Sequence, residues 1–221
     1  MIELVIFDAD GVLFDSIESN IAYYNAIFRQ VGEPTLDAAE QTRSISYAAD
    51  EMFIARARAD QAKLEAMRAV ARSLDGTRFF QMLKPPLELR PFMVQLRTRY
   101  RLGLATNRSQ TVPKLVEHLK LEGIFDAIAS MLDGVPPKPA PDVLKLCIQR
   151  AGTAPERSVY VGDSPIDCQA ALDAGTHFIA VGARVGHTHW INTIKELPAT
   201  LVELDRKSTL TPQRTKDLAR M

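Results

Sequence analysis

Two carboxylates near the amino terminus have the residue type and spacing to carry chemistry in this 221-residue chain. Asp8 and Asp10 flank a single alanine and directly follow the apolar run 2–7. Two acids this close together are costly to desolvate unless a positive group joins them, and a divalent cation is the simplest candidate. The alternative is that these aspartates, together with Asp15, only end a strand and cap the next helix.

Three later segments carry a hydroxyl, an amide, a lysine and further acids. They read Thr106-Asn107-Arg108, Lys138-Pro139-Ala140-Pro141-Asp142 and Gly162-Asp163-Ser164-Pro165-Ile166-Asp167. The first and third follow predicted strands, and the second precedes a predicted helix. Because open α/β sheets bind ligands at the carboxyl ends of their strands, we expect these groups to converge on one crevice with Asp8 and Asp10.

The hydrophobic pattern indicates the elements that would position these groups. The run 2–7 is typical of a central strand of a parallel sheet, where helices cover both faces. From residue 87 onward strands and helices alternate, as a doubly wound, Rossmann-like parallel α/β sheet requires. Strands are predicted over 101–105, 125–129, 158–161, 178–181 and near 200–204. Helices are predicted to begin at Pro91 and Ser109 and to span Asp142–Ala151 and Pro165–Ala174.

A segment without any strand-like pattern interrupts this alternation after the first strand. Apolar side chains recur at helical spacing over 17–31, and 47–75 is rich in Ala, Arg, Glu and Met. Pro85-Pro86 ends the segment, since proline cannot continue a helix. We therefore predict an inserted α-helical cap. The predicted division is an α/β core of 1–15 and 86–205, a helical cap of 16–85 and a polar tail of 206–221.

The composition favours a soluble protein with a small local site. Lys+Arg and Asp+Glu both number 27, so no overall field favours nucleic acid or an anionic membrane as a partner. The two cysteines, Cys147 and Cys168, suit a reducing compartment. We see no signal-peptide pattern and no apolar run near the roughly 18 residues that cross a bilayer. We therefore expect a cytoplasmic protein.

The polar segments, taken in order, resemble the four motifs of the haloacid dehalogenase-like (HAD) phosphohydrolases: Asp-x-Asp, Ser/Thr, Lys and Gly-Asp-x-x-x-Asp. Here they stand as Asp8-Ala9-Asp10, Thr106, Lys138 and Gly162-Asp163-Ser164-Pro165-Ile166-Asp167. The resemblance covers about residues 2–182. It is closest to the phosphoglycolate phosphatase and β-phosphoglucomutase-like branch, in which a helical cap follows the first motif.

The resemblance implies a role for each motif residue. Asp8 matches the nucleophile that forms an aspartyl-phosphate, and Asp10 matches the general acid and base. Thr106, Asn107 and Lys138 would hold the phosphoryl oxygens by position and charge. The residue types suit this chemistry, because a carboxylate nucleophile divides phosphoryl transfer into two steps.

The resemblance also implies a Mg²⁺ cofactor, an ion that prefers oxygen ligands and keeps several waters. The ion would be held by the Asp8 carboxylate, the Asp10 backbone carbonyl and Asp163. Asp167 would support the site by orienting waters or a neighbouring ligand. One ion would relieve repulsion among the acids and neutralise phosphate charge.

Three functions are compatible with these motifs. The first is a Mg²⁺-dependent phosphatase acting on a small phosphorylated metabolite of the phosphoglycolate or sugar phosphate type. The second is a β-phosphoglucomutase-like phosphosugar mutase, and the third is a non-catalytic binding protein on the same fold. Asp10 favours phosphoryl transfer, because the dehalogenases of this superfamily lack an acid there. Mutase-like members carry a histidine where this chain has Asn20, which favours the phosphatase.

Four other features have competing interpretations. Arg43, in the predicted cap, would reach a substrate carboxylate or second phosphate, but a solvated helix arginine is favoured. His187 and His189 have the spacing of possible metal ligands, but a loop or packing role is favoured because no acid or cysteine stands beside them. Arg108 is interpreted as a helix cap or a solvent-facing residue. The basic tail 206–221 is interpreted as a weak helix or a solvated segment.

Overall fold

The protein, described by a computed structural model over residues 1–44, 47, 49–182, 185 and 189–206, is built on a six-stranded sheet. The strands are β1 (Leu4–Phe7), β2 (Arg101–Thr106), β3 (Ala127–Ser130), β4 (Ser158–Gly162), β5 (His177–Val181) and β6 (Trp190–Ile191). All pairs are parallel, in the order β3-β2-β1-β4-β5-β6. After β1 the chain adds β2 and β3 on one side of it and then β4 to β6 on the other side. A crevice therefore opens at the carboxyl ends of β1 and β4.

The helices fall into two groups. The first four lie between β1 and the rest of the sheet: α1 (Ile17–Gln30), α2 (Ala38–Arg43), α3 (Ala49–Ala57) and α4 (Gln61–Ser73). The others alternate with the strands: α5 (Leu89–Arg97), α6 (Val112–His118), α7 (Asp142–Ala151), α8 (Pro165–Ala174) and α9 (197–206). Short 3-10 helices cover Gly76–Met82, Met131–Asp133, Pro155–Arg157 and Ile194–Glu196.

The central strand β1 is buried on both faces of the sheet. Leu4 and Ile6 pack into a cluster with α7 and α8, whereas Val5 and Phe7 pack into a second cluster with α5, α6 and α9. Every residue of β1 is completely buried. This two-sided burial explains why the strand is a continuous apolar run instead of an alternating one, and it confirms the predicted doubly wound α/β fold.

Helices α1, α3 and α4 form a hydrophobic cluster of their own, together with Leu36 from the loop before α2. It is formed by Tyr24, Ile27, Phe28, Leu36, Met52, Phe53, Ala57, Leu64 and Met67. The segment 47–75 is two helices, because Arg58 and Ala59 adopt positive φ angles of 49° and 72° and break it. The two ends of the inserted helical region are joined to each other by two backbone hydrogen bonds of 3.0 Å between Asp15 and Lys84. The division into core and cap domains stays a prediction.

The strands and helices predicted outside 47–75 are present in the structure except near the carboxyl end, although α5 begins two residues before Pro91 and α6 begins three residues after Ser109. The predicted bounds of α7 and α8 are confirmed, whereas the strand predicted near 200–204 is wrong because these residues lie in α9. Leu197, Leu201 and Leu204 recur at helical spacing and are buried in the core. The sixth strand is β6 instead. No described helix has the length and apolar character that a membrane crossing needs.

Candidate active site

A tight turn directly after β1 carries the first two acids. The Asp8 backbone N–H donates to the Val161 carbonyl at 2.9 Å, which fixes Asp8 beside β4. Gly11 closes the turn with a φ of +72° and donates its N–H to the Phe14 carbonyl at 2.9 Å. A Cβ atom at Gly11 would lie 1.9 Å from Asp163 Oδ2. Glycine at this position therefore allows the Asp163 carboxylate to pack against the turn.

Lys138 is buried at the centre of the crevice. Its Nζ atom lies 2.8 Å from Asp8 Oδ1 and 2.7 Å from Asp167 Oδ1, and it donates to the Tyr160 hydroxyl at 2.8 Å. Burial alone would lower the pKa of Lys138, but the carboxylates of Asp167 and Asp8 outweigh burial and raise it. The ammonium group therefore stays charged and holds Asp8 and Asp167 together.

The Asp8 carboxyl group stands in an environment that resists its ionisation. Burial raises the pKa of Asp8 from 3.8 to about 8, Asp167 and Asp10 add to this shift, and Lys138 opposes it. Burial and the neighbouring acids therefore outweigh the stabilisation that Lys138 gives to the ionised form of Asp8. A divalent cation would favour the ionised nucleophile.

Asp167 is held by protein donors on both of its carboxylate oxygens. Its Oδ1 atom contacts Lys138 Nζ, and its Oδ2 atom accepts from Ser164 Oγ at 2.5 Å and from the backbone N–H groups of Asp163 and Ser164 at 3.2 and 3.1 Å. Ser164 in turn caps α8. Asp167 thus holds the turn that presents Asp163, whereas its role in orienting waters or a neighbouring ligand stays a prediction.

The buried acids have the donor set of a metal site. Ligand oxygens of Asp8, Asp163 and Asp167 all lie within 4.8 Å of one another. Within the described part of the chain Asp8 Oδ1 has no aligned hydrogen-bond donor, since Lys138 contacts it only as an ion pair. Oxygen donors of this kind suit Mg²⁺. Because both oxygens of Asp167 already accept hydrogen bonds, Asp8 is a better candidate for a direct ligand than Asp167 is.

Thr106 ends β2 and Asn107 directly follows it, beside the lysine. Thr106 is buried, and its Oγ1 accepts from the Arg108 backbone N–H at 3.2 Å. The Asn107 amide is committed to the Lys138 backbone: it donates to the Lys138 carbonyl at 3.1 Å and accepts from its N–H at 2.8 Å. The Asn107 side chain therefore positions Lys138, which leaves the Asn107 backbone N–H as the candidate phosphate donor.

Asp10 is paired with an arginine that the sequence interpretation assigned to a helix cap or to solvent. Arg108 Nε and Nη2 each donate to one carboxylate oxygen of Asp10 at 2.7 Å. Burial alone would raise the pKa of Asp10, but Arg108 outweighs burial and lowers it. The available signal was a basic residue directly after the Thr-Asn pair of β2. That interpretation of Arg108 is wrong, because the guanidinium lies inside the site.

Tyr160 is a second residue that the sequence interpretation missed. It is completely buried in β4, and its hydroxyl lies 3.1 Å from the Ala105 carbonyl and 3.2 Å from Asp167 Oδ1. Burial raises the pKa of Tyr160, and Asp167 and Asp8 raise it further. A tyrosine in an otherwise apolar central strand was the signal, because a buried hydroxyl needs partners.

Several other sequence candidates have other surroundings or lie outside the described residues. Arg43 is exposed at the end of α2. The Asn20 amide lies 3.3 Å from Ser16 Oγ and 3.5 Å from the Ser44 carbonyl. The His189 carbonyl accepts from the Ala180 N–H at 2.9 Å, as part of the sheet edge. His187, and the tail beyond residue 206, lie outside the described residues.

Comparison with known proteins decides the family. The family model for haloacid dehalogenase-like hydrolases matches residues 5–181. The chain belongs to this family. The matched segment contains every residue of the crevice, from Asp8 in the first motif to Asp167 in the last, so the resemblance inferred from the four motifs is confirmed.

The relatives of this HAD protein include phosphatases. A phosphoglycolate phosphatase of Pseudomonas putida is 30% identical over 215 residues, which cover 90% of this chain and 76% of the relative. A tyrosine-protein kinase, PtkA of Mycobacterium tuberculosis, is 28% identical over 208 residues, 91% of this chain and 71% of the relative. A subfamily IA HAD hydrolase structure from Geobacter sulfurreducens has a TM-score of 0.72 at 27% identity and covers 90% of this chain and 96% of its own. The protein is a phosphatase of the HAD family.

Proposed function

We propose that this HAD phosphatase is Mg²⁺-dependent and hydrolyses a small phosphorylated metabolite, of the phosphoglycolate or sugar phosphate type, through an aspartyl-phosphate on Asp8. One observation carries the proposal: Asp8 lies at the end of the central strand, 2.8 Å from the buried Lys138 ammonium and beside Asp163. A carboxylate held against a cation and a second acid is suited to attack a bound phosphoryl group.

The first step transfers the phosphoryl group to the protein. An Asp8 carboxylate oxygen forms a bond to phosphorus while the bond from phosphorus to the leaving oxygen breaks. Asp10, two residues further along the turn, donates a proton to the leaving oxygen. The products are the alcohol and the aspartyl-phosphate.

The second step returns Asp8 to its starting state. Water attacks phosphorus, its proton passes to Asp10, and the bond between phosphorus and Asp8 breaks to release inorganic phosphate. Arg108 keeps Asp10 ionised in the free site, so Asp10 takes up a proton from solvent before the first step, and the second step returns one to it. Acid and base catalysis by one residue requires that its carboxyl group stays aligned through both steps.

The other residues bind and neutralise charge. Lys138 and the backbone N–H of Asn107 would contact phosphoryl oxygens, with Thr106 closing the end of β2 beneath them. The Asp8 carboxylate, the Asp10 carbonyl and Asp163 would hold Mg²⁺. When bound, the ion supplies electrostatic neutralisation of the phosphoryl charge.

A phosphate-release screen over a metabolite panel with Mg²⁺ tests this function. We expect release from small phosphate monoesters, abolished by EDTA and reduced at least about 1000-fold in Asp8→Asn, because the nucleophile is lost. Asp133→Asn is the matched control, since Asp133 pairs with Arg150 at 2.6 Å away from the crevice.

Two outcomes would contradict the proposed phosphatase. Full turnover by Asp8→Asn would exclude the aspartyl-phosphate. Isomerisation of a sugar 1-phosphate in the presence of its bisphosphate, without phosphate release, would support the mutase instead. Asn20 argues against that second outcome, because mutase-like members carry a histidine there and an amide, unlike an imidazole, does not titrate near neutral pH.

A further inference from the structure

The guanidinium of Arg108 uses only one of its edges in the contact with Asp10. Its Nε and Nη2 atoms each donate one hydrogen bond to the carboxylate, at 2.7 Å. A guanidinium carries five N–H donors, so three of them remain, two on Nη1 and one on Nη2. Within the described part of the chain, Nη1 has no hydrogen-bond acceptor. Arg108 can therefore hold Asp10 and bind a second acceptor at the same time.

The hydroxyl of Tyr24 is a second polar group without a partner. Tyr24 belongs to α1, and only 5% of the residue is exposed. Its ring is packed in the hydrophobic cluster of the helical segment, with centroid distances of 6.2 Å to Phe28 and 6.1 Å to Phe53. Among the residues that the structure describes, none forms a hydrogen bond with the hydroxyl. A tyrosine hydroxyl this buried usually has a partner, so an unpaired one indicates the position of a ligand.

The Tyr24 hydroxyl and the Arg108 guanidinium lie near each other. Burial raises the pKa of Tyr24, Asp10 adds to the rise and Arg108 opposes it, so the phenol lies within electrostatic reach of both members of the ion pair. Only 17% of the Arg108 side chain is exposed, which limits competition by water. Tyr24 comes from the helical segment, whereas Arg108 follows β2, so the two donors converge from two elements on one sheltered place.

This place is also close to the nucleophile. Burial alone would lower the pKa of Arg108, but Asp10 outweighs burial and Asp8 adds to the rise. The guanidinium therefore lies within electrostatic reach of Asp8 as well. A ligand that has its phosphoryl group at Asp8 and a second group at the free edge of Arg108 must be short.

We propose that the free edge of Arg108 and the Tyr24 hydroxyl form a subsite for a carboxylate of the substrate, which is then a short phosphorylated hydroxy acid. This inference rests on the proposed function and chooses one substrate class within it. Both protein groups offer donors, and a carboxylate is an acceptor whose two oxygens match the spacing of a guanidinium edge. A sugar hydroxyl would satisfy one of these donors and would bring a donor of its own.

The experiment measures how strongly each variant prefers a carboxylate over its neutral amide. The substrates are 2-phosphoglycolate and 2-phosphoglycolamide, which have nearly the same size and the same kind of bond to phosphorus. Loss of the Arg108 guanidinium also releases Asp10, but this effect acts on both substrates, so it cancels in the ratio of their kcat/KM values. The ratio therefore reports recognition of the carboxylate.

We expect wild type to favour 2-phosphoglycolate and Arg108→Gln to lower the ratio about 30-fold, because hydrogen bonds between charged groups are the stronger ones. Arg108→Lys keeps the charge but not the edge of parallel donors, so its loss should be intermediate. Tyr24→Phe keeps the ring in the cluster and removes only the hydroxyl, and it should lower the ratio about 5-fold. Thermal unfolding of each variant checks that it is folded.

A measurement of binding without turnover excludes an indirect effect through the chemistry. 3-Phosphonopropionate has the shape of 2-phosphoglycolate but no ester oxygen to protonate, and propylphosphonate lacks its carboxylate. Their inhibition constants are measured against p-nitrophenyl phosphate. The preference for 3-phosphonopropionate should fall in Arg108→Gln and, to a smaller extent, in Tyr24→Phe, in the same order as the kcat/KM ratio.

Two variants serve as matched controls. Arg68→Gln breaks the same kind of bidentate pair, formed with Asp50 at 2.6 and 2.7 Å on the exposed face of the helical segment. Tyr100→Phe removes the hydroxyl of another buried tyrosine, which has Arg99 beside its ring and directly precedes β2, at the end of the strand opposite to the crevice. Both preferences for a carboxylate should be unaffected in these variants.

The outcomes separate this inference from the proposed function. An equal loss on 2-phosphoglycolate and its amide in Arg108→Gln, or a wild type that does not favour the carboxylate, would overturn the subsite and leave the phosphatase intact. A change in Arg108→Gln with none in Tyr24→Phe would overturn the joint subsite. If wild type releases phosphate from no monoester, or if Asp8→Asn retains full activity, the proposed function fails and the inference fails with it.

Discussion

The floor of the crevice and its rim hold their acids in different ways. The floor consists of Asp8, Lys138, Tyr160, Asp163 and Asp167, and the rim consists of Asp10, Phe14 and Arg108. In the floor the Lys138 ammonium lies within 2.8 Å of oxygens from three residues, and its side chain is 3% exposed. In the rim Asp10 is paired with one arginine, and 23% of its side chain is exposed.

This difference separates two tasks of the site. The floor concentrates buried charges that depend on one another, so removal of one member leaves the others uncompensated. The rim fixes one carboxyl group by geometry, and removal of its partner leaves a carboxylate that water can reach. We therefore expect changes in the floor to affect stability first and changes in the rim to affect proton transfer first.

Lys138→Met is expected to have the largest effect on stability. It leaves the buried carboxyl groups of Asp8 and Asp167 without their cation, and breaking a buried pair in this way costs about 3–5 kcal/mol. Urea denaturation at pH 7 measures the loss in the free energy of unfolding. Activity should also be lost, because the predicted phosphate ligand is absent.

The control for this change is Lys84→Met. Lys84 pairs with Glu18 at 2.5 Å, but both side chains are more than half exposed, so the free energy of unfolding should hardly change. The comparison of floor and rim would be contradicted if Arg108→Gln destabilised the protein as much as Lys138→Met does.

The pH dependence of stability gives a second test of the floor. The pKa of Asp8 is raised from 3.8 to about 8, so the folded state binds this proton more tightly than the unfolded state. The resulting stability is fully present below about pH 4 and is lost as the pH rises to about 8. Asp8→Asn removes this loss. In EDTA, the Tm of Asp8→Asn relative to wild type should therefore rise between pH 5 and pH 8.

Asp133→Asn is the control, because it removes a carboxyl group whose pKa is shifted in the opposite direction to that of Asp8. Arg150 lowers the pKa of Asp133, so this carboxylate is ionised throughout that range and its contribution is lost only as the pH falls further. Its Tm difference from wild type should stay constant from pH 5 to pH 8. Addition of Mg²⁺ should raise the Tm of wild type more than that of Asp8→Asn. Equal shifts would argue against Asp8 as a ligand.

The sequence predicts the floor better than the rim for a physical reason. Asp8 and Asp163 directly follow apolar strands, and parallel strands bring their carboxyl ends to one edge, so the pattern alone places them together. The glycine after α7 and the glycine after α8 likewise mark the helix ends. These features depend on local pattern and topology.

The sequence does not predict which partner a polar side chain contacts in the folded protein. Arg108 is 98 residues from Asp10, and no local rule selects that carboxylate over solvent. Asn107 was predicted at a phosphate, through either its backbone or its amide, and its amide bonds the Lys138 backbone. The segment 200–204 is apolar at positions that suit either a strand or a helix, and only packing against the sheet decides for α9.

Tyr160→Phe is expected to have the smallest effect. It tests which groups of the floor take part in phosphoryl transfer and which only support them. The Tyr160 hydroxyl accepts from Lys138 at 2.8 Å and lies beside Asp167, but it does not contact Asp8. Its removal leaves one ammonium donor without a partner, which costs about 1–2 kcal/mol of the free energy of unfolding. Because Asp8 and Asp167 still hold Lys138, kcat/KM for p-nitrophenyl phosphate should stay within about 3-fold of wild type. A loss of activity as large as that of Lys138→Met, without a matching loss of stability, would instead place the hydroxyl among the groups that act on the phosphoryl transfer itself.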